Sequence, residues 1–350
     1  MYLNYFNLKE FPFRLTPDAD FLYMSAAHSR AKAYMDYTIW NRDGFVVITG
    51  EVGSGKTTLL QKLISELDDS IKVAKIFQTQ LDDVEFLQAV LVEFGLNPFN
   101  AKKVELIDML NQCLLDHFGK MKQLVLIVDD AHNLSPKVLE EVRMLSGLET
   151  RKQKILHVIL VGQPELNERL EGPGMEQLLQ RVRLRFHLKP LSEDEMTAYI
   201  DHRLRIAGAN QRLFTADAMP VIFKYTGGVP RLINTLGDTA LTCAYADEQK
   251  EVNAATATAA IKELQWLPYA RRVNRARGQR PELLHTDAEV NAARLSAIEH
   301  KLQHVEAAIP PLTAIVKHMA EINTSLKEIA SALRKTDDPT VVPRKLVREK

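Results

Sequence analysis

Gly50-Glu-Val-Gly-Ser-Gly-Lys-Thr57 stands directly after an apolar run, Phe45-Val-Val-Ile-Thr49, and opens a helical stretch from Lys56 to Leu67. The segment fits the phosphate-binding pattern G-x-x-x-x-G-K-[ST], and a strand before it and a helix after it are the context that pattern needs. Glycines let backbone N–H groups curl around phosphates, while the helix N-terminus adds partial positive charge. Gly50, Glu51, Val52, Gly53, Ser54, Gly55, Lys56, Thr57 and Thr58 are therefore the expected nucleotide cradle. Lys56 should reach the β- and γ-phosphates, and the Thr57 hydroxyl should bind Mg²⁺. ATP and Mg²⁺ are the cofactors this implies.

Working outward, further short apolar strands are expected at Lys72–Phe77, Leu124–Asp129, Ile155–Val161 and Leu184–Leu188. Helical periodicity fills the gaps, notably Asp83–Phe94 and Val104–Phe118. Alternating strands and helices imply an α/β fold with a parallel sheet covered on both faces. Ser135 followed by Pro136 marks another helix start.

The run Leu124-Val-Leu-Ile-Val-Asp-Asp-Ala-His132 ends in two acids. Adjacent carboxylates repel and are costly to desolvate, so they need a reason. Open α/β sheets bind ligands at the carboxyl ends of their strands. Asp129 is therefore the expected second Mg²⁺ residue. Asp130 is the candidate to orient or deprotonate the attacking water, the alternative being a capping or solvated carboxylate.

After Leu188 the pattern becomes all-helical. Ser192-Glu-Asp-Glu195 is a capping box opening a helix to about Ile206. Helices at Thr215–Tyr225, Pro230–Tyr245 and Asn253–Leu264 follow. The expected division is an α/β domain over 1–190 that includes an N-terminal segment, 1–44, then a helical domain over 191–267. Residues 268–287, rich in arginine and without apolar periodicity, read as a linker. Over 288–335, Leu295, Ile298, Leu302, Val305, Ile309, Leu312, Val316, Met319, Leu326 and Leu333 recur at spacings that suit a coiled coil broken at Pro310-Pro311. Two amphipathic helices folding back on the body are the alternative. Residues 336–350 read as a disordered tail.

Composition sets few further limits. Hydrophobic residues make up 46% and charged residues 26%, as in ordinary globular proteins. Formal charge is zero, but from Pro268 onward 15 Lys/Arg meet 10 Asp/Glu, so the tail is mildly basic. Cys113 and Cys243 have no metal-type spacing, which suits a reducing compartment. The first residues, MYLNYFNLKEFPF, lack the layout of a signal peptide, and no apolar run is long enough to span a membrane. The expectation is a cytoplasmic protein, with a peripheral place at the inner membrane left open.

Several motifs together resemble AAA+ ATPases of the general secretion pathway protein A (ExeA-like) family, with its pilus-biogenesis and exosortase-associated relatives. They are Tyr5-Phe-Asn-Leu-Lys-Glu-Phe-Pro-Phe13 with Thr16-Pro-Asp18, the phosphate loop, Val128-Asp-Asp-Ala-His132, Val161-Gly-Gln-Pro-Glu-Leu166, and Gly227-Gly-Val-Pro-Arg-Leu-Ile-Asn234. The resemblance covers roughly Met1 to Pro268. It implies a P-loop AAA+ parallel-sheet core with an α-helical lid domain, continued here by a C-terminal coiled-coil extension. It further implies a Mg²⁺-dependent ATPase in which Gln163 senses the γ-phosphate and Arg231 is the second sensor. One of Arg181, Arg183 and Arg185 would be an arginine finger reaching a neighbouring subunit, with Arg181 favoured. A finger in trans implies a self-assembled oligomer or ring. The aromatic residues Phe11–Phe13 with Tyr23 would lie near the adenine or serve as plain core.

Two departures matter. Relatives usually carry Asp-Glu where this chain has Asp129-Asp130, and many continue into a transmembrane helix and a cell-wall-binding module. Asp is one methylene shorter than Glu, roughly 1.5 Å in reach, and a misplacement of that order can slow chemistry about 100-fold. Slow hydrolysis suited to a switch is therefore expected. The functional expectation is an ATPase that switches or assembles a secretion, pilus or exopolysaccharide-export complex, with a protein partner on the coiled coil. The alternatives are a DNA-associated regulator using Arg271, Arg272, Arg275, Arg277 and Arg280 against phosphates, and an ATP-binding scaffold with little hydrolysis.

Overall fold

The computed structural model describes residues 2–41, 44–120, 122–147 and 154–276. The expected coiled coil and tail lie outside these residues, as do Arg277 and Arg280. Short α1 (Tyr2–Tyr5) and α2 (Ala26–Trp40) lead into β1 (Phe45–Gly50), α3 (Lys56–Ser65), β2 (Ile71–Ile76), α4 (Asp83–Glu93), α5 (Lys103–Gly119) and β3 (Gln123–Val128). Then come α6 (Pro136–Ser146), β4 (Leu156–Gly162), α7 (Glu165–Leu170), α8 (Glu176–Leu179) and β5 (Leu184–Leu188). Five helices follow: α9 (Glu193–Ile206), α10 (Ala218–Thr226), α11 (Pro230–Ala246), α12 (Ala254–Glu263) and α13 (Tyr269–Ala276).

The five strands form one sheet in the order β2-β3-β4-β1-β5, every neighbouring pair parallel. The central strands β1 and β4 are buried throughout and β3 nearly so, whereas the edge strands β2 and β5 have a mixed pattern. That contrast is what a parallel sheet covered on both faces requires. Alternate residues go to opposite faces. Val47, Leu124, Leu126, Val128, Val158 and Leu160 pack against α4, α5 and α6. Val46, Ile48, Val125, Ile127, Ile159 and Val161 pack against α2 and α3.

Local signals fix the helix starts. Asp82 accepts from the N–H groups of Val84 and Glu85 while Glu85 accepts from Asp82, a reciprocal cap for α4. Ser192 and Glu195 do the same for α9, which runs from Glu193 to Ile206. Ser135 caps α6, with Pro136 in its first turn.

A separate apolar cluster joins α9, α10, α11 and α12, and it includes Tyr2, Phe6, Leu8, Phe13 and Phe21. The N-terminal segment, assigned by sequence to the α/β domain, thus packs its aromatic side chains into the helical cluster. Aromatic rings remove more apolar area from water than other side chains, and this cluster offers them partners such as Phe214, 5.8 Å from Phe13 between ring centres. The expected linker also needs correction in its first part, because α13 is a helix. Tyr269 and Val273 fall one turn apart on one face, and the Tyr269 ring lies directly over Gly227. Beside it the Arg272 guanidinium stacks on Trp266 at 4.5 Å and donates to the Tyr225 carbonyl.

Candidate nucleotide site

β1 ends at Gly50, and the chain then turns sharply into α3. Gly53 (φ 79°) and Gly55 (φ 94°) occupy the left-handed region that side chains disfavour. A Cβ on Gly50 would stand 2.8 Å from Ser54 Oγ and 2.9 Å from the Leu188 carbonyl oxygen, so only glycine fits there. Lys56 opens α3 and is buried. Its Nζ donates to the Gly50 carbonyl at 2.7 Å and to the Glu51 carbonyl at 2.9 Å. An ammonium has three N–H donors, so one remains for a phosphate oxygen.

Parallel strands bring the other ends to the same edge of the sheet. Thr57 Oγ1 donates to Asp129 Oδ2 at 2.7 Å, although the two residues lie 72 positions apart. Asp129 is buried, and burial raises its pKa despite the Thr57 hydroxyl and the Asp130 N–H that it accepts. Burial likewise lowers the pKa of Lys56, with Asp129 and Asp130 pulling the other way. Asp130 adopts a left-handed backbone (φ 50°, ψ 34°) and turns away from the strand, its side chain 59% exposed. The chain continues as a single 3₁₀ turn, Ala131–Asn133, which carries His132 back towards Gln163 at the end of β4. His132 Nε2 lies 2.7 Å from the Gln163 carboxamide, and His132 Nδ1 lies 3.9 Å from Asp130.

Above the loop lies a cleft of about 410 Å³. Gly53, Lys56, Thr57, Thr58, Asp130 and Gln163 line its floor. Arg231, at the start of α11, reaches it from the helical side. The N–H of Arg231 donates to the Gly53 carbonyl at 3.1 Å. Residues Arg14 to Asp18 with Leu22 and Tyr23 form one wall, and Leu191, Tyr199, Arg203 and Asn234 line the cleft beside them. Phe11 and Phe13 do not line the cleft, and Phe13 is core, whereas Tyr23 does line it.

Two supports of this wall are hard to see in the sequence. Arg203 is buried. It donates to the Pro12 carbonyl at 2.6 Å and to Tyr199 Oη at 2.9 Å, and stacks on Phe21 at 4.9 Å. Tyr199 Oη passes its own proton to Asn234 Oδ1 at 2.7 Å, so three side chains hold the N-terminal segment to the helices. His28 is the second support. Its Nε2 lies 3.1 Å from the Ser54 carbonyl, which can only accept, so the proton sits on Nε2. Nδ1 then accepts from Ser25 Oγ at 2.8 Å, and burial lowers the pKa of the ring.

The arginines proposed as a finger lie outside the cleft lining. Arg181 donates to the Arg143 carbonyl at 2.5 Å and to Ser146 Oγ at 3.2 Å, at the C-terminal end of α6. Arg185 pairs with Glu171 at 3.0 Å. Of the arginines around α13, Arg272 is turned inward, as described above.

The donor set fits Mg²⁺. Thr57 and Asp129 offer hard oxygen atoms in contact with each other, and Mg²⁺ typically takes one or two protein oxygens plus phosphates and waters. The cradle fits phosphates as well: Ser54 Oγ is buried without a hydrogen-bond partner, and a Cβ on Gly53 or Gly55 would collide with Arg231 or His28. Glycine-turn, lysine, hydroxyl and strand-end acid together have the layout of a P-loop on a parallel α/β sheet.

Residues 40–170 match the AAA domain family. Over 248 residues the chain is 41% identical to General secretion pathway protein A of Aeromonas hydrophila, a match covering 70% of this chain and 45% of that protein. The chain therefore spans less than half the length of that relative. The fold resembles Cdc6p of Pyrobaculum aerophilum (17% identity, TM-score 0.55, covering 69% of this chain and 67% of that one). It also resembles the ORC2 protein of Aeropyrum pernix (15% identity, TM-score 0.53, covering 69% and 67%). At such identity the likeness is one of fold. The chain is an AAA-domain protein related to General secretion pathway protein A. No helix among the described residues is long and apolar enough to cross a membrane.

Proposed function

We propose that this chain binds ATP with Mg²⁺ in the cleft and hydrolyses it slowly, using the nucleotide state to switch or assemble a secretion, pilus or exopolysaccharide-export complex. The observation that carries this reading is the 2.7 Å contact of Thr57 with Asp129 beside buried Lys56. Loop N–H groups and Lys56 hold the phosphates, and Thr57 with Asp129 would hold Mg²⁺. When bound, Mg²⁺ would supply neutralisation of the phosphate charge. Asp130 orients the attacking water and accepts its proton, Gln163 donates to the γ-phosphate, and Arg231 ties the phosphate to the lid helix.

Arg181 serves as the finger for a neighbouring subunit in this scheme. To do so it must exchange its contacts with Arg143 and Ser146 for a phosphate across the interface, which makes assembly a precondition of fast turnover. The secretion context rests on the relative's name, and the proposed protein partner on the C-terminal region. The test is ATP turnover per subunit against protein concentration. Turnover that rises as monomer passes to oligomer, and fails to rise in Arg181→Ala, supports the scheme. Turnover that stays constant while the oligomer forms contradicts it.

A further inference from the structure

His132 lies between Gln163 and Asp130, and its two ring nitrogens cannot both accept. The backbone N–H of Gln163 approaches His132 Nδ1 at 3.4 Å, and a backbone N–H can only donate. Nδ1 therefore presents a lone pair, and the neutral ring carries its proton on Nε2. That proton needs an acceptor, yet the atom placed 2.7 Å from the ring Nε2 is the Gln163 amide nitrogen, which can only donate; the amide must therefore be turned over. The amide meets it with Oε1, since a half-turn exchanging oxygen and nitrogen leaves the shape unchanged. Gln163 then directs its NH₂ away from the ring, as a donor. In the opposite tautomer Nδ1–H would oppose the Gln163 N–H, and Gln163 would offer the phosphates an oxygen.

The place of the ring is well determined by packing. The His132 side chain is only 13% exposed. A Cβ on Gly162 would stand 3.1 Å from the His132 backbone nitrogen, so the turn is seated directly on β4.

We propose that His132 is a positioning residue that fixes the Gln163 carboxamide with its NH₂ towards the γ-phosphate, and so lets the site distinguish ATP from ADP. The proposal rests on the reading of Gln163 as the γ-phosphate sensor.

The experiment measures the affinities of the full chain for ADP and for a non-hydrolysable ATP analogue, both with Mg²⁺, and takes their ratio. Asn carries its amide near the place of Nδ1 and has nothing at Nε2, whereas Gln places an amide nitrogen near Nε2. His132→Asn should reduce the preference for the ATP analogue about tenfold, the scale of one hydrogen bond to a charged group. His132→Gln should retain it within about threefold. The double variant His132→Asn, Gln163→Ala should be no worse than Gln163→Ala alone, because the two side chains act as one unit. Thermal unfolding of each variant establishes that it is folded, and His132→Gln carries the test if the Asn variant is not. An unchanged ratio in Gln163→Ala removes the sensor reading and the proposal with it. A reduced ratio in Gln163→Ala with independent, additive effects at His132, or failure of His132→Gln to retain the preference, overturns the proposal alone.

Discussion

Gly53 lies directly beneath Arg231: a Cβ built on the glycine would stand 2.4 Å from the arginine Cβ. The same pair shares a backbone hydrogen bond of 3.1 Å, from the Arg231 N–H to the Gly53 carbonyl. The phosphate loop and the first turn of α11 are thus in backbone contact, so the helical region rests on the loop itself.

Gly53→Ala should therefore unseat the lid. The substitution adds a Cβ where α11 lies, at a backbone φ of 79° that already disfavours a side chain by about 1–2 kcal/mol. We expect ATP affinity, measured by calorimetry, to fall at least about tenfold while the sheet core keeps its thermal transition. Unchanged affinity would show that the close approach of Gly53 and Arg231 is not needed for binding.

Asp129→Asn should separate stability from function. Burial raises the Asp129 pKa, so the charged form is disfavoured in the fold. A raised carboxyl pKa means that stability is lost as pH climbs through the ordinary carboxylate range, because the folded state holds its proton longer. Removing that charge should stabilise the nucleotide-free protein, by on the order of 1 kcal/mol. It should also abolish the gain in Tm that Mg²⁺ adds to ATP. A variant less stable than wild type without nucleotide would contradict this account of Asp129.

His28 predicts an acid-side weakness. Its folded pKa is lowered from 6.5 by burial, so the unfolded chain takes up a proton first. Stability should be full above about pH 7 and should decline as pH falls through the ordinary histidine range. Measured Tm between pH 8 and pH 5 should fall less steeply for His28→Gln than for wild type. Parallel curves would exclude His28 as a source of the slope.

Asp130 occupies a left-handed backbone position that Asp tolerates better than Glu. Asp130→Glu should speed turnover by extending the carboxylate towards its water, at a loss of about 1 kcal/mol or less in stability. Turnover and Tm measured on the same preparation test both halves. Slower or unchanged turnover would refute the reading of Asp130 as a base whose reach is short.

Much of this site could be read along the chain because its signals are local. The glycine loop, Lys56 and Thr57 are contiguous, Asp129 closes an apolar run, and the cap at Ser192 fixes the start of α9. What the sequence hid depends on contacts between distant positions. Arg203 reaches Pro12 across 191 residues, and His28 reaches Ser54 across 26. A histidine or arginine on a helix reads as surface until its partner is known. His132 stood within a quoted motif, but its role depends on a ring nitrogen facing Gln163, which no spacing discloses. The N-terminal aromatics carry no period that says which core will take them, and α13 is held by Tyr269 over Gly227 and by the Arg272–Trp266 stack, contacts that a two-turn, arginine-rich run does not announce.

The central claim is that the cleft hydrolyses Mg²⁺–ATP through the phosphate loop. Steady-state phosphate release from the full chain, with Lys56→Ala beside it, tests this most directly. We predict slow but measurable Mg²⁺-dependent release by wild type and its loss, by about 100-fold or more, in Lys56→Ala. Equal release by the two proteins, or none from wild type with ATP bound and the oligomer formed, would contradict it.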